Sequence, residues 1–274
     1  MADRRATRCS TSSGESTPLS ATERLASPPT ARFLTALWRD LVMLNYEVEP
    51  EILAALVPAG TELDLWQGRA MVSMVGFHFG RTRVLGLAIP GHCNFEEVNL
   101  RFYVRRDGPE GLRRGVVFVK EIVPRAAIAW VARTLYNENY VALPMRHRVA
   151  QEAASGAKSV AYEWRQGGRW SRLRVATQGR SEIPPADSEA TFITEHYWGY
   201  ARQRDGGTVE YRVEHPQWRV RAAVESEFEC DVAALYGAPF AGALSGPPAS
   251  AFLADGSAVT VRRGLRLDAT AQES

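Results

Sequence analysis

One stretch near the middle of this 274-residue chain constrains the fold more than any other. Between Asn94 and Met145, two strand-like runs, NFEEVNLRFYVRR and RRGVVFVKEIVPR, are followed by a helix-like segment and a third strand. A hairpin-like turn, RRDGP at residues 105–109, separates the first two runs. Consecutive strands joined by so short a turn can pair only in antiparallel fashion. The stretch therefore predicts an antiparallel sheet with a packed helix.

The remainder of the chain repeats this pattern of strands in hairpin-like succession. We predict about ten strands and three helices, without the regular strand–helix alternation of a doubly wound sheet. One predicted helix begins at Pro50, one follows Arg125, and one, EATFITEHYWGYAR, is capped by Asp187 or Ser188. The fold class predicted is mainly β (α+β), an antiparallel barrel or sandwich with a few packed helices.

Composition along the chain predicts one domain between two tails. Residues 1–30 are polar and rich in Ser, Thr and Pro, which is typical of a disordered N-terminal tail. Residues 31–264 hold the strands and helices and are predicted to form a single domain. Residues 265–274 are predicted to be a polar C-terminal tail.

Charge, hydropathy and cysteine content argue against several classes of protein. A net charge of +2 spread along the chain predicts neither nucleic-acid nor membrane binding. No apolar stretch approaches the roughly 20 residues that span a bilayer. The three cysteines, Cys9, Cys93 and Cys230, have no CxxC spacing, which argues against a metal site and suits the cytoplasm. No cofactor motif is present, so we predict no cofactor, and the oligomeric state stays open, a homo-oligomer included.

Alternation of side chains in the strand after Asn94 separates a polar face from an apolar one. The apolar face belongs to the core and carries Glu96, Val98, Leu100, Phe102 and Val104. The polar face carries Phe95, Glu97, Asn99, Arg101 and Tyr103. Glu97 and Arg101 could there serve one bound group in a ligand cavity. The alternative is a solvated face with a surface ion pair.

The next strand contains Lys120, one of only two lysines in the chain. Strict alternation places its side chain on one face with Val116, Phe118 and Ile122, and Glu121 on the other. A buried lysine has a lowered pKa and can form a Schiff base with a carbonyl, which makes Lys120 a candidate nucleophile. The alternative is a lysine whose amine reaches water or pairs with a glutamate.

Three further residues are candidates for the wall of a cavity. His147 is predicted to point inward from an apolar strand face, as an acid, base or hydrogen-bond donor or as a satisfied core histidine. Trp130 lies off the apolar stripe of its predicted helix, where it could cap a cavity or cover its rim. Tyr140 begins the following strand and could supply a hydroxyl group.

Several linked blocks resemble the YqjF-like family of uncharacterised bacterial proteins. They begin with WRDLVMLNYEVEPEILAALVPAGTELDLWQGRAMVSMVGFHF and continue with FEEVNLRFYVR, AWVARTLYNENY, FITEHYWGY and HPQW, covering roughly residues 36–262. That family is in turn similar to the acetoacetate decarboxylase-like superfamily. The resemblance implies a cone-shaped antiparallel β-barrel that encloses a small-molecule cavity.

The resemblance also bears on the site residues. Phe95-Glu96-Glu97 is similar to the strand start that carries a cavity glutamate in the decarboxylases, which implies that Glu97 is the cavity carboxylate. The decarboxylases have a Schiff-base lysine just after a helix, whereas the matching stretch here, residues 135–140, contains none.

Three hypotheses follow. The first is a barrel that binds a small, anionic or carbonyl-containing molecule through Glu97 and Arg101, with Lys120, His147 and Tyr140 as further cavity groups. The second is a Schiff-base lyase or decarboxylase-like enzyme that uses Lys120 and Glu97. The third is a non-catalytic regulatory or partner-binding module.

Overall fold

The computed structural model of the protein describes residues 30–126 and 139–267. The predicted tails, except for their innermost residues, and most of the helix predicted after Arg125 lie outside this part of the chain. The helices are α1 (Pro50–Ala54), α2 (Glu189–Thr194), α3 (Val232–Tyr236) and α4 (Ala238–Ala243). The strands are β1 (Arg32–Val48), β2 (Glu62–Leu63), β3 (Ala70–Val84), β4 (Phe95–Gly108), β5 (Gly111–Val123), β6 (Tyr140–Ala142), β7 (Met145–Gln151), β8 (Lys158–Gln166), β9 (Arg169–Thr177), β10 (Trp198–Arg202), β11 (Thr208–Glu214), β12 (Val220–Glu229), β13 (Ser250–Arg262) and β14 (Leu265–Arg266).

Most strand pairs are antiparallel, and several are hairpins of consecutive strands, as the turn residues predict. The turn between β8 and β9 contains Gly167 and Gly168, whose φ angles of 55° and 83° suit the tight connection. Within the described residues, the exceptions are two parallel pairings, of β10 with β5 and of β6 with β5. The mainly β fold class is confirmed.

The helix predicted over residues 189–202 is wrong in its second half. Ser188 caps α2 as expected, its side chain accepting a hydrogen bond from the Thr191 N–H, but α2 ends at Thr194. Residues 198–202 instead form β10, which pairs with both β5 and β11. A Cβ at Gly199 would lie 2.2 Å from the Tyr211 ring, so any larger residue would require this ring to move. Tertiary pairing here overrides local helix propensity.

Seven strands close into a barrel. The pairing path runs β11-β10-β5-β4-β3-β1-β13, and it returns to its start because Val213 of β11 pairs with Val261 of β13. Closure removes the edges between these strands. It also encloses every second side chain of each strand in one interior space.

A second sheet packs against the outside of the barrel. It contains β7, β8, β9 and the second half of β12, whereas residues 220–222 of β12 still pair with β13 of the barrel. Tyr162 and Trp164 of this sheet meet Leu44, Val98 and Leu100 of the barrel in an outer core. The inner core is aromatic and includes Met43, Phe77, Phe79, Phe95, Tyr103 and Trp218. Strands β1, β3 and β4 are therefore buried on both faces.

Among the described helices, none has the length and apolar character that a bilayer crossing requires.

Candidate ligand-binding cavity

The barrel interior holds a cavity of about 300 Å³. Its lining is mainly apolar, and small-molecule sites generally combine such a lining with a few polar groups. The aromatic side chains that line it are Trp38, Phe77, Phe79, Phe95, Phe118, Tyr140, Trp198, Tyr211 and Trp218. Phe79 and Phe95 stack with their ring centroids 4.5 Å apart. The cavity can therefore hold an apolar group against aromatic faces.

Five side chains form a polar wall on one side of the cavity: Glu97, Asn99, Arg101, Glu121 and Tyr140. The first three follow one another on the inner face of β4, so the predicted alternation places them correctly. Glu97 accepts hydrogen bonds from Asn99 Nδ2 at 3.0 Å and from the Tyr140 hydroxyl at 3.3 Å. These two donors hold the Glu97 carboxylate in place at the cavity surface.

Arg101 places a positive charge at the cavity, and the residue is only 8% exposed to solvent. Its Nη2 donates to the backbone carbonyl of Ile193 at 3.2 Å, and its Nε is buried with no hydrogen-bond partner in the described chain. No carboxylate of residues 30–126 or 139–267 forms an ion pair with it. A buried cation without a carboxylate partner is costly, and a bound anion would offset that cost.

A β-bulge decides which charged residue of β5 faces the cavity. Leu100 pairs with Lys120, whereas Arg101 pairs with Phe118, so Val119 is the extra residue. Beyond the bulge the alternation reverses, and Glu121 rather than Lys120 turns toward the cavity. The predicted face shared by Lys120 and Phe118 is therefore wrong. Strict alternation cannot account for an inserted residue.

The structure places Lys120 in the outer core instead. Its amine donates to the backbone carbonyl of Leu235 at the end of α3, and burial lowers its pKa. The lowered pKa agrees with the sequence argument, but Lys120 does not line the cavity. The Schiff-base hypothesis therefore finds no support in the position of this amine.

His147 also lies away from the cavity, so its predicted inward orientation is wrong. Its strand, β7, is at the edge of the second sheet, where most side chains are exposed. His147 Nδ1 lies 2.7 Å from Glu96 Oε1, and this contact raises the pKa of the imidazole and lowers that of the carboxyl. Trp130, the other rim candidate, lies outside the described residues.

Three histidines that the sequence did not single out as candidates line the cavity, namely His92, His196 and His215. His196 and His215 lie in blocks, FITEHYWGY and HPQW, that carry the family resemblance, which was the one sequence signal pointing to them. His196 lies next to β10 and His215 directly follows β11, so barrel closure brings them to the polar wall. Their distance from Glu97 in sequence hides this proximity.

His196 is held in a buried cluster beneath the cavity surface. Its Nε2 lies 3.1 Å from Asp64 Oδ2, which also accepts a 2.6 Å hydrogen bond from Arg114. Burial lowers the pKa of His196 to about 4, although the Asp64 hydrogen bond opposes this shift. Burial works against ionisation of Asp64, but its hydrogen bonds from His196 and Arg114 prevail and lower its pKa. His196 is therefore neutral near pH 7, with its proton on Nε2.

The lowered pKa of His196 predicts a loss of stability in mild acid. The unfolded state binds a proton below the ordinary pKa of 6.5, whereas the folded state binds it only near 4. The free energy of unfolding should fall as the pH drops through this window, by about 2 kcal/mol between pH 7 and pH 5 from this group alone. Urea unfolding of the wild type and of His196→Gln at both pH values should show the smaller decrease in the variant.

His147→Gln provides a control, because its effect on the free energy of unfolding should depend on pH in the opposite direction. Because its pKa is raised in the folded state, His147 stabilises the protein below pH 6.5 and loses this effect as the pH rises through its folded pKa. This substitution should therefore cost more stability at pH 5 than at pH 8. Equal pH dependence of the wild type and His196→Gln would contradict the buried, neutral assignment of His196.

Solved structures with the same architecture define the class of fold. Acetoacetate decarboxylase from Legionella pneumophila matches with a TM-score of 0.61 and 13% identity, covering 93% of this chain and 98% of that one. An acetoacetate decarboxylase-like enzyme from Sphingomonas wittichii RW1 gives 0.58 and 14%, covering 87% and 94%. The enduracididine biosynthesis enzyme MppR, complexed with pyruvate, gives 0.61 and 17%, covering 93% and 98%. The chain therefore has the acetoacetate decarboxylase-like fold.

The family is established by sequence. The model of the DUF2071 family, described as an "Uncharacterized conserved protein", matches residues 35–258, and the chain belongs to this family. Uncharacterized protein YqjF of Bacillus subtilis (strain 168) is 41% identical over 76 residues, which are 27% of this chain and 31% of that protein. The match thus spans about a third of the relative's length. Both findings confirm the resemblance seen in the sequence.

Proposed function

We propose that the barrel cavity binds a small organic acid, with its carboxylate at the Arg101 guanidinium and its apolar part against the aromatic lining. The observation that carries this proposal is the burial of Arg101 without a carboxylate partner in the described chain. Guanidinium and carboxylate form strong, geometrically specific hydrogen bonds in such surroundings. An anionic ligand would complete the interactions of this side chain.

Glu97 determines how a ligand is oriented in the proposed site. Because Asn99 and Tyr140 fix the carboxylate, Glu97 repels a ligand carboxylate and favours the pose in which that group lies at Arg101. Lys120 and His147 take no part in this proposal, since neither lines the cavity. The pyruvate named for MppR is itself a small organic acid, and this supports the ligand class.

We also propose that the protein is cytoplasmic. Cys93 and Cys230 are free thiols in the described chain, which suits a compartment where thiols stay reduced.

Binding of 3-phenylpropionate and of its neutral amide, 3-phenylpropionamide, tests the proposal. We expect the acid to bind about tenfold or more tightly than the amide, because only the acid can form a charged pair with Arg101. Trp38, Trp198 and Trp218 line the cavity, so their fluorescence reports occupancy. Equal affinities would contradict the proposal.

Glu97→Gln and Glu96→Gln form a matched pair for the same assay. The first removes a negative charge from the cavity and should tighten binding of the acid about threefold to tenfold. The second removes a charge from the opposite face of β4, where Glu96 contacts His147, and should leave binding unchanged. If Glu97→Gln also binds the acid like the wild type, Glu97 is not part of the site.

A further inference from the structure

The polar wall has few hydrogen-bond donors left for a ligand. The Tyr140 hydroxyl and Asn99 Nδ2 both donate to Glu97. The Thr194 hydroxyl, also at the cavity, donates to the backbone carbonyl of Ala190 at 2.8 Å. Of the polar side chains of the wall, Arg101 therefore retains the most donors, and Asn99 Nδ2 keeps its second N–H. Trp38 Nε1, elsewhere on the cavity lining, has no hydrogen-bond partner in the described chain. A ligand carboxylate can use the donors of Arg101, but a further ligand carbonyl next to it would face mainly acceptors.

His215 adds an acceptor to this surface. Its Nδ1 lies 2.9 Å from the backbone carbonyl of Pro216, which can only accept, so Nδ1 carries the ring proton and Nε2 a lone pair. Nε2 forms no hydrogen bond in the described chain, and unlike His196 Nδ1 it is not a buried atom. His215, which lines the cavity, therefore carries an unused acceptor.

The His215 ring is rigidly placed and remains neutral. It stacks on Trp218 with ring centroids 4.1 Å apart and contacts Tyr197 at 4.7 Å. Burial lowers its pKa to about 4, the hydrogen bond to Pro216 opposes this shift, and the charge of Arg101 lowers the pKa further. Arg101 and His215 both line the cavity, so one small molecule could contact both side chains.

We propose that His215 is a specificity-determining residue whose Nε2 accepts a hydrogen bond from a hydroxyl or ammonium group beside the ligand's carboxylate. The cavity should then prefer 2-hydroxy or 2-amino acids to the corresponding keto or unsubstituted acids. This inference rests on the proposed function, because Arg101 must hold the carboxylate. A keto oxygen at the same position would place two acceptors against each other, which is unfavourable.

Four acids with one carbon skeleton test this preference. They are 3-phenylpropionate, phenylpyruvate, L-3-phenyllactate and L-phenylalanine, which differ only at the 2-position. We expect at least one of the two donor-bearing acids to bind about tenfold more tightly than 3-phenylpropionate, and phenylpyruvate to bind no better than 3-phenylpropionate. The stronger of the two identifies the donor as a hydroxyl or an ammonium group.

His215→Phe keeps an aromatic ring against Trp218 but removes the acceptor, so the preference should disappear in this variant. His215→Gln restores an acceptor oxygen and should recover part of it. An independent readout is 15N NMR of the imidazoles, which should show the proton of His215 on Nδ1 and that of His196 on Nε2.

The two proposals fail in different ways. If 3-phenylpropionate binds but the donor-bearing acids bind no better, or if His215→Phe keeps the preference, the role of His215 is refuted while the acid site stands. A proton found on His215 Nε2 would refute it as well. If none of the four acids binds, the proposed function falls and this inference falls with it.

Discussion

Replacement of Arg101 by methionine is expected to weaken binding of 3-phenylpropionate by about 30-fold or more, because the ligand carboxylate then lies in an apolar cavity without a cation. Methionine keeps a long apolar side chain at this position. Since Arg101 has no carboxylate partner in the described residues, the variant should remain as stable as the wild type or become more stable. Fluorescence titration and urea unfolding measure the two effects separately.

Arg105→Met is the matched control. Arg105 lies on the same strand, β4, but its side chain is partly exposed and pairs with Glu62 at 2.8 Å. This variant should bind 3-phenylpropionate with the affinity of the wild type. Retained affinity in a folded Arg101→Met protein would exclude Arg101 as the anion-binding group.

Gly256→Ala is expected to destabilise the protein by about 3 kcal/mol or more. Gly256 has a φ angle of 78°, and an added Cβ would lie 2.2 Å from the backbone oxygen of Trp38 on the paired strand β1. Rotation of a side chain cannot relieve the steric clash, because the opposing atom belongs to the backbone. The positive φ angle adds backbone strain for any residue other than glycine. Urea unfolding at neutral pH gives the free-energy difference.

Gly242→Ala serves as the control for this substitution. Gly242 lies in α4 with no atom within 4 Å of an added Cβ, and its φ angle is not in the left-handed region. Alanine should be neutral there or stabilise the helix by up to about 1 kcal/mol. If Gly256→Ala were as stable as Gly242→Ala, the close approach of β13 to β1 would be refuted.

The sequence predicted the elements whose information is local. Alternation in β4 separates its cavity face from its core face, and glycine pairs mark the turns. The prediction from sequence failed where a single inserted residue, or pairing with a strand distant in sequence, determines the structure. The bulge at Val119 exchanges Lys120 for Glu121, and pairing with β5 and β11 converts the region of Gly199 into a strand.

The candidate site was predictable to a similar extent. Glu97 and Arg101 follow from the pattern of one strand, and Tyr140 from its place at the start of another. His196 and His215 could not be assigned because closure between β11 and β13 brings them to the cavity, and no periodicity encodes that closure. His147 was misplaced because an edge strand of the second sheet has the same apolar alternation as a barrel strand.

Burial of β4 on both faces also has a consequence for how such a protein can diverge. Its odd-numbered positions from 95 to 101 face the cavity, whereas its even-numbered positions from 98 to 104 lie in the outer core. Substitutions at the first set can change what is bound without disturbing the packing that holds the two sheets together. Ligand preference and structural stability thus depend on alternate residues of one strand. Selection can therefore change one set of residues without changing the other.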